Sequence, residues 1–151
     1  TTHQQLNFYQ HNKLTFIMDI STGKNGIGQE LNSEKTPQGW HNIVEKIGEQ
    51  DVENSVFIGR RPTGEIYSAS MKKSMPERDW ILTRILRLKG LEPGFNLGGN
   101  VDSYERYIYI HGTPDETKLG EIGSKGCIRM HNKDIIKLFN LITVGTPVFI
   151  Q

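Results

Sequence analysis

A single cysteine, Cys127, is present, so the chain can form neither an internal disulfide nor a cysteine-based zinc finger. Net charge is nearly absent: 18 Lys and Arg oppose 17 Asp and Glu, leaving +1. That balance argues against a nucleic acid as partner, because such binders usually carry a basic excess. No apolar run approaches the ~18 residues that a membrane helix needs, and the longest, 14–18, is short and interrupted by Thr15. A hydrophobic share of 35% with 23% charged residues excludes a membrane-embedded chain and argues against a disordered one. His3, His11, His41, His111 and His131 show no tight ligand spacing, so no metal and no cofactor is expected. The chain starts at Thr1 without a methionine, so the lack of a leader does not argue for a cytosolic home. No repeat, low-complexity tract or linker divides the chain. The expectation is one domain, 1–151, long enough to bury a core without a staple.

Glycine is abundant, 16 of 151 against a usual ~7%. This favours many turns and a β-rich fold. Short apolar or β-branched runs at 6–9 and 14–20 flank a hairpin loop, Gln10-His11-Asn12-Lys13. The glycine-rich stretch 21–28 lacks Walker spacing and reads as a turn. Thr36-Pro37-Gln38-Gly39 is a turn signal, and 40–47, 56–59 and 65–68 are further strand candidates.

In the middle the period changes. Ile81, Leu82, Ile85, Leu86 and Leu88 stand at helical spacing and predict a helix over 77–89. Ser74 with Glu77 resembles a capping box, and Gly90 a stop signal. A loop, 91–102, follows. Residues 106–111 alternate as a strand, with Ile108 and Ile110 toward the core and Tyr107, Tyr109 and His111 on the other face. Near the end, Asn132 is placed to cap a helix over 133–142 with Asp134 in its first turn, before a last strand over 146–150. Strands predominate, with one or two helices.

A nucleophilic cysteine needs a base, a group that orients the base, and donors for the oxyanion. Cys127 has candidates for each. His111 lies sixteen positions upstream across a loop able to fold back, and an imidazole beside a thiol depresses the thiol's pKa. That pairing predicts fast alkylation at mildly acidic pH. The N–H groups around Gly126 and Cys127 are candidates for an oxyanion hole, and Arg129 suits a substrate carboxylate. The plain alternative is a small buried cysteine, a satisfied His111, an Arg129 paired with Asp134 or Glu121, and a solvated Lys125. Trp40 and Trp80 read as core or rim.

The block Ile108-Tyr109-Ile110-His111-Gly112-Thr113, followed by Gly123-Ser124-Lys125-Gly126-Cys127-Ile128-Arg129-Met130, resembles the signature of the YkuD-type L,D-transpeptidases of bacterial cell walls. The early turns 21–24 and 36–39 and the closing stretch 144–150 resemble the same family, so the likeness covers most of the chain. One departure is Lys125, where many members have histidine. Chain order and the short His-to-Cys separation set the chain apart from papain-like peptidases and from sortases.

The resemblance implies a mainly β, sandwich-like catalytic fold. It implies Cys127 as nucleophile, His111 as base, and the Gly112 carbonyl as the group that orients the imidazole. Ser124, Lys125, Gly126 and Arg129 fall in the substrate-binding signature. It implies peptidoglycan stem peptides as substrate, outside the cytoplasmic membrane. The thiolate would be acylated by the L-centre of meso-diaminopimelate in a tetrapeptide stem, with D-Ala released, and an amine would resolve the thioester. The alternatives are a carboxypeptidase, an enzyme that attaches or detaches a wall-anchored lipoprotein, and a non-catalytic wall-binding module.

Overall fold

The computed structural model describes residues 3–151. Among these, nine strands and two α-helices are present. The expected mainly β architecture takes the form of one strongly curled mixed sheet, with strands in the order β1 (Gln5–Gln10), β2 (Lys13–Ser21), β8 (Ile128–His131), β7 (Tyr109–Thr113), β6 (Ile81–Gly90), β3 (Gly39–Ile47) and β9 (Pro147–Ile150). β1 (Gln5–Gln10) and β2 (Lys13–Ser21) form a hairpin. His11 and Asn12 both have positive φ there, the mark of a two-residue type I′ turn. β3 (Gly39–Ile47) pairs with β6 (Ile81–Gly90) and β9 (Pro147–Ile150). β4 (Ser55–Ile58) and β5 (Arg61–Ile66) form a second hairpin, attached through β4 to the start of β6. β5 therefore starts before the strand expected at 65–68 and ends within it at Ile66, and Ser68 stands at the N-cap of α1 (Ala69–Ser74).

The segment expected to be a helix over 77–89 is the central strand β6. Its apolar positions serve two faces, and the register shifts between Leu82 and Ile85, where Thr83 takes φ 73. Leu82 packs with Val56 and Trp80, and Ile85 with Phe57 and Tyr109. Leu86 and Leu88 enter the main core. A strand buried on both faces loses its period of two, and a bulge offsets the remainder, so the sum mimics helical spacing. No capping box forms at Ser74, which is the last residue of α1 and whose hydroxyl donates to the Ser70 carbonyl.

The main core lies between the sheet and α2 (Asn132–Leu141). Ile135, Leu138 and Phe139 form the apolar stripe of that helix, and Ile142 continues it. The stripe covers Ile43, Leu86, Leu88, Ile110, Ile128 and Met130. Each such side chain, fully buried, contributes about 1.5–3 kcal/mol. Asn132 does not cap the helix as expected. It is the first helical residue, fully buried, with His131 at the cap position. Its Oδ1 accepts from Thr83 Oγ1 at 2.6 Å and its Nδ2 donates to Asn54 Oδ1 at 3.0 Å.

β7 (Tyr109–Thr113) and β8 (Ile128–His131) run parallel side by side. A parallel pair needs a long return connection. That connection carries the glycine-rich segment back to the start of β8.

Candidate active site

In the β7–β8 register, Ile110 faces Ile128 and His111 faces Arg129. Ile110, Ile128 and Met130 point into the main core. Alternation therefore puts His111 and Arg129 on the opposite face. Extending the register by one residue sets Cys127 beside Tyr109, diagonal to His111. The Tyr109 N–H donates to Cys127 Sγ at 3.3 Å.

His111 is fully buried. Its Nδ1 lies 2.7 Å from the Gly112 carbonyl oxygen. A carbonyl can only accept, so the proton sits on Nδ1. Nε2 then carries the lone pair, and it is buried with no hydrogen-bond partner among the described residues. Burial pushes the imidazole pKa below 6.5, against the opposing pull of Asp79 and the Gly112 carbonyl. His111 is neutral at neutral pH, with one free basic nitrogen.

Gly112 is required sterically as well. A Cβ there would strike Asn132 Oδ1, lie 2.6 Å from the Leu82 carbonyl oxygen, and lie 3.1 Å from Thr83 Cβ. The β6 bulge presses against this residue, and the absence of a side chain admits the contact.

Cys127 is half-buried, and its sulfur points at the Tyr107 carbonyl, 3.4 Å away. Tyr107 holds φ 57, an uncommon conformation for an aromatic residue. Burial pushes the thiol pKa up to about 12. The Tyr109 N–H, Arg129 and Arg106 oppose that rise, and Asp79 adds to it. The expectation of a thiol depressed by its histidine is therefore corrected. Sγ is bonded to backbone of the Tyr107–Tyr109 segment, not to His111, and desolvation outweighs the nearby cations.

The turn before Cys127 is tied by side chains. Ser124 Oγ accepts from the Gly126 N–H at 3.1 Å and donates to the Cys127 carbonyl at 2.5 Å. Gly126 takes φ +117, and a Cβ there would lie 3.1 Å from the Lys35 carbonyl oxygen. Its own carbonyl accepts from Thr36 Oγ1 at 2.9 Å. The Gly126 N–H, expected at an oxyanion hole, is thus already bonded. Lys125 is exposed. Arg129 pairs with Asp79 at 3.1 Å and donates to the Gly123 carbonyl at 3.0 Å, rather than pairing with Asp134 or Glu121.

Three residues at the site were not anticipated. Asp79 neutralises Arg129 and acts on both His111 and Cys127. Arg106 donates to the carbonyls of Gln29 and Lys35 at 2.8 and 2.7 Å, fixing the loop that backs Gly126. Thr36 links Gly23 to Gly126. No spacing in the sequence ties these positions to Cys127; only the fold does.

No group of three or more His, Cys, Asp and Glu among the described residues is placed to hold a metal ion. No described helix is long and apolar enough to cross a membrane.

The family model for the YkuD L,D-transpeptidase catalytic domain matches residues 1–150. The Bacillus subtilis protein YqjB, assigned by name to the L,D-transpeptidases, is 36% identical over 121 residues, covering 69% of this chain and 68% of that protein. YkuD of Bacillus subtilis, named likewise, is 36% identical over 96 residues, or 63% of this chain, which there spans about half of the relative (48%). An L,D-transpeptidase structure from Mycobacterium smegmatis superposes with a TM-score of 0.59 at 17% identity, covering 99% of this chain and 54% of that one, a likeness of fold alone. With the family model matched along nearly its entire length, the chain belongs to the YkuD family, as an L,D-transpeptidase catalytic domain.

Proposed function

We propose that the chain is a cysteine acyltransferase acting on peptidoglycan stem peptides outside the cytoplasmic membrane, with Cys127 as nucleophile and His111 as base. The observation that carries this is the state of His111. Its proton is held on Nδ1 by the Gly112 carbonyl, and its bare Nε2 is buried on the face that carries Cys127. A neutral histidine in that tautomer is a general base awaiting a proton.

In the proposed reaction the thiol turns from the Tyr107 carbonyl toward His111. Nε2 takes the proton as sulfur attacks the carbonyl at the L-centre of diaminopimelate in a tetrapeptide stem. The peptide bond to D-Ala breaks, the imidazolium protonates the departing amine, and a thioester remains on Cys127. An incoming amine from a second stem, or from a lysine of a wall-anchored lipoprotein, gives a proton to His111 and takes the acyl group. The thiol is thereby restored. With the Gly126 N–H bonded to Ser124, the backbone N–H of Cys127 is the proposed oxyanion donor. Proton transfer coupled to attack is the proposed route, because burial disfavours a thiolate formed beforehand.

The test is mass spectrometry of products from a disaccharide-tetrapeptide, with wild type and Cys127→Ala run together. The expected result is release of D-Ala and a cross-linked dimer by wild type only. Loss of D-Ala leaving only tripeptide would make water the acceptor. D-Ala released by Cys127→Ala at the wild-type rate would overturn the assignment.

A further inference from the structure

A stem peptide brings carboxylates close to the scissile bond, and a cation is needed to hold them. Arg129, the candidate from sequence, is committed to Asp79 and to the Gly123 carbonyl. Arg106 is committed to loop carbonyls. Arg87 is buried and paired with Glu45 at 3.3 Å. Arg60 is different. Among the described residues it has no carboxylate in ion-pair range. Glu45, the acidic group nearest its field, already accepts from Arg87 and from the Tyr104 hydroxyl.

Arg60 is nevertheless held in place. It lies in the two-residue turn between β4 and β5, with Gly59 at φ 53 and Arg60 itself at φ 68. Positive φ at both positions defines a type I′ turn, where arginine is a costly choice beside Asn or Gly. Its guanidinium sits 5.1 Å from the centre of the Tyr107 ring, and its Nη1 donates to the Tyr109 hydroxyl at 3.0 Å. These are the two tyrosines whose backbone atoms contact Cys127 Sγ. A guanidinium has five N–H donors in a planar fork that matches a carboxylate. One bond to Tyr109 and one cation–π contact with Tyr107 orient the fork and leave other donors open. Lys125 also has no ion-pair partner among the described residues, and no described contact fixes its ammonium.

We infer that Arg60, at the tip of the β4–β5 hairpin, grips a carboxylate of the donor stem peptide and so sets substrate preference. The inference rests on the proposed stem-peptide substrate, and its test is a binding measurement that does not depend on turnover. Titration calorimetry follows the disaccharide-tetrapeptide into Cys127→Ala, alone and combined with Arg60→Gln or Arg60→Lys. The peptide is used as the free acid and with either the diaminopimelate side-chain carboxylate or the D-Ala carboxylate amidated. Arg60→Gln should weaken binding of the free acid about 10- to 100-fold, the span of a charge-assisted hydrogen bond, and Arg60→Lys should fall between. On one amidated peptide the penalty of Arg60→Gln should vanish. A change under about twofold on the free acid would overturn the inference, as would an equal loss on all three peptides. If binding depends on Arg60 and wild type still releases no D-Ala, the catalytic proposal fails and the carboxylate site stands.

Discussion

Replacing Gly112 by alanine joins packing to chemistry in one experiment. The new Cβ would lie 2.6 Å from the Leu82 carbonyl oxygen and 3.1 Å from Thr83 Cβ, and it would overlap Asn132 Oδ1. Comfortable contacts lie near ~3.5–4 Å, so β7 must move from the β6 bulge by something approaching an ångström. Overpacking of this kind costs about 1–3 kcal/mol. For a domain of this size that lowers Tm by roughly 2–12 °C, read by calorimetry. The same movement drags the Gly112 carbonyl from His111 Nδ1, now 2.7 Å away. A misplacement near 1 Å in a reacting group lowers kcat by about 10²-fold. The expected signature is a modest loss of Tm with a large loss of turnover per folded molecule. Asn132→Ala removes the tightest clash, so combining it with Gly112→Ala should cost less stability than the two changes added, by at least ~0.5 kcal/mol. If Gly112→Ala keeps full turnover per folded molecule, the Gly112 carbonyl does not govern His111 and the reasoning is wrong.

Other consequences concern protons. Because burial holds the Cys127 thiol near 12, alkylation by iodoacetamide should be slow at pH 6–8 and keep rising above about pH 9.5, where a free cysteine has levelled off. A rate that plateaus below pH 8 would show a preformed thiolate. Asp79 disfavours that thiolate, so Asp79→Asn should speed alkylation at any fixed pH in this range; an unchanged or slower rate would remove Asp79 from the site's electrostatics. His41 and His111 are both held below 6.5 by burial, so the unfolded chain takes up protons first as pH falls. Their contribution to stability is present above about pH 6.5 and is lost below it, by up to about 2.7 kcal/mol per pH unit for the pair. Urea midpoints at pH 7.5, 6.5 and 5.5 measure this, and a constant midpoint would contradict the buried neutral state.

The readable parts of the molecule are those whose signals are local. The hairpin at His11-Asn12 announces itself by turn chemistry, and α2 by Asn132 and Asp134 at its start, although Asn132 is its first residue and not its cap. The His111 and Cys127 block was legible because strand alternation and a glycine-rich return are written in consecutive residues. β6 was not legible. Its two buried faces and its bulge at Thr83 compose a helical period from residues that serve three different clusters. The partners of Arg129, Arg106 and Arg60 were hidden for another reason. Each contact closes a gap of roughly fifty to eighty positions, and charge alone does not say which acid or carbonyl an arginine will meet. The direction of the thiol's pKa was misjudged because a neighbouring histidine is visible in sequence and desolvation is not.

The misread strand and the misjudged thiol have a common origin. The bulge in β6 holds Thr83 at positive φ, a strain worth about 1–3 kcal/mol, and thrusts it against Gly112. That contact fixes the carbonyl that sets the tautomer of His111. The same two-sided burial of β6 carries Ile85 into the cluster of Phe57 and Tyr109, against which Cys127 packs, and so desolvates the sulfur. One irregular strand thus orients the proposed base, His111, and keeps the proposed nucleophile, Cys127, protonated. For an acyl-transfer enzyme this division has a physical use. A protonated thiol bonded to the Tyr107 carbonyl reacts slowly with oxidants and stray electrophiles, which attack the thiolate. In the proposed reaction, a substrate that displaces that bond and turns Sγ–H toward Nε2 would supply both the electrophile and the geometry for proton transfer. Reactivity then depends on the occupied site, and the resting protein needs no ion pair to be ready.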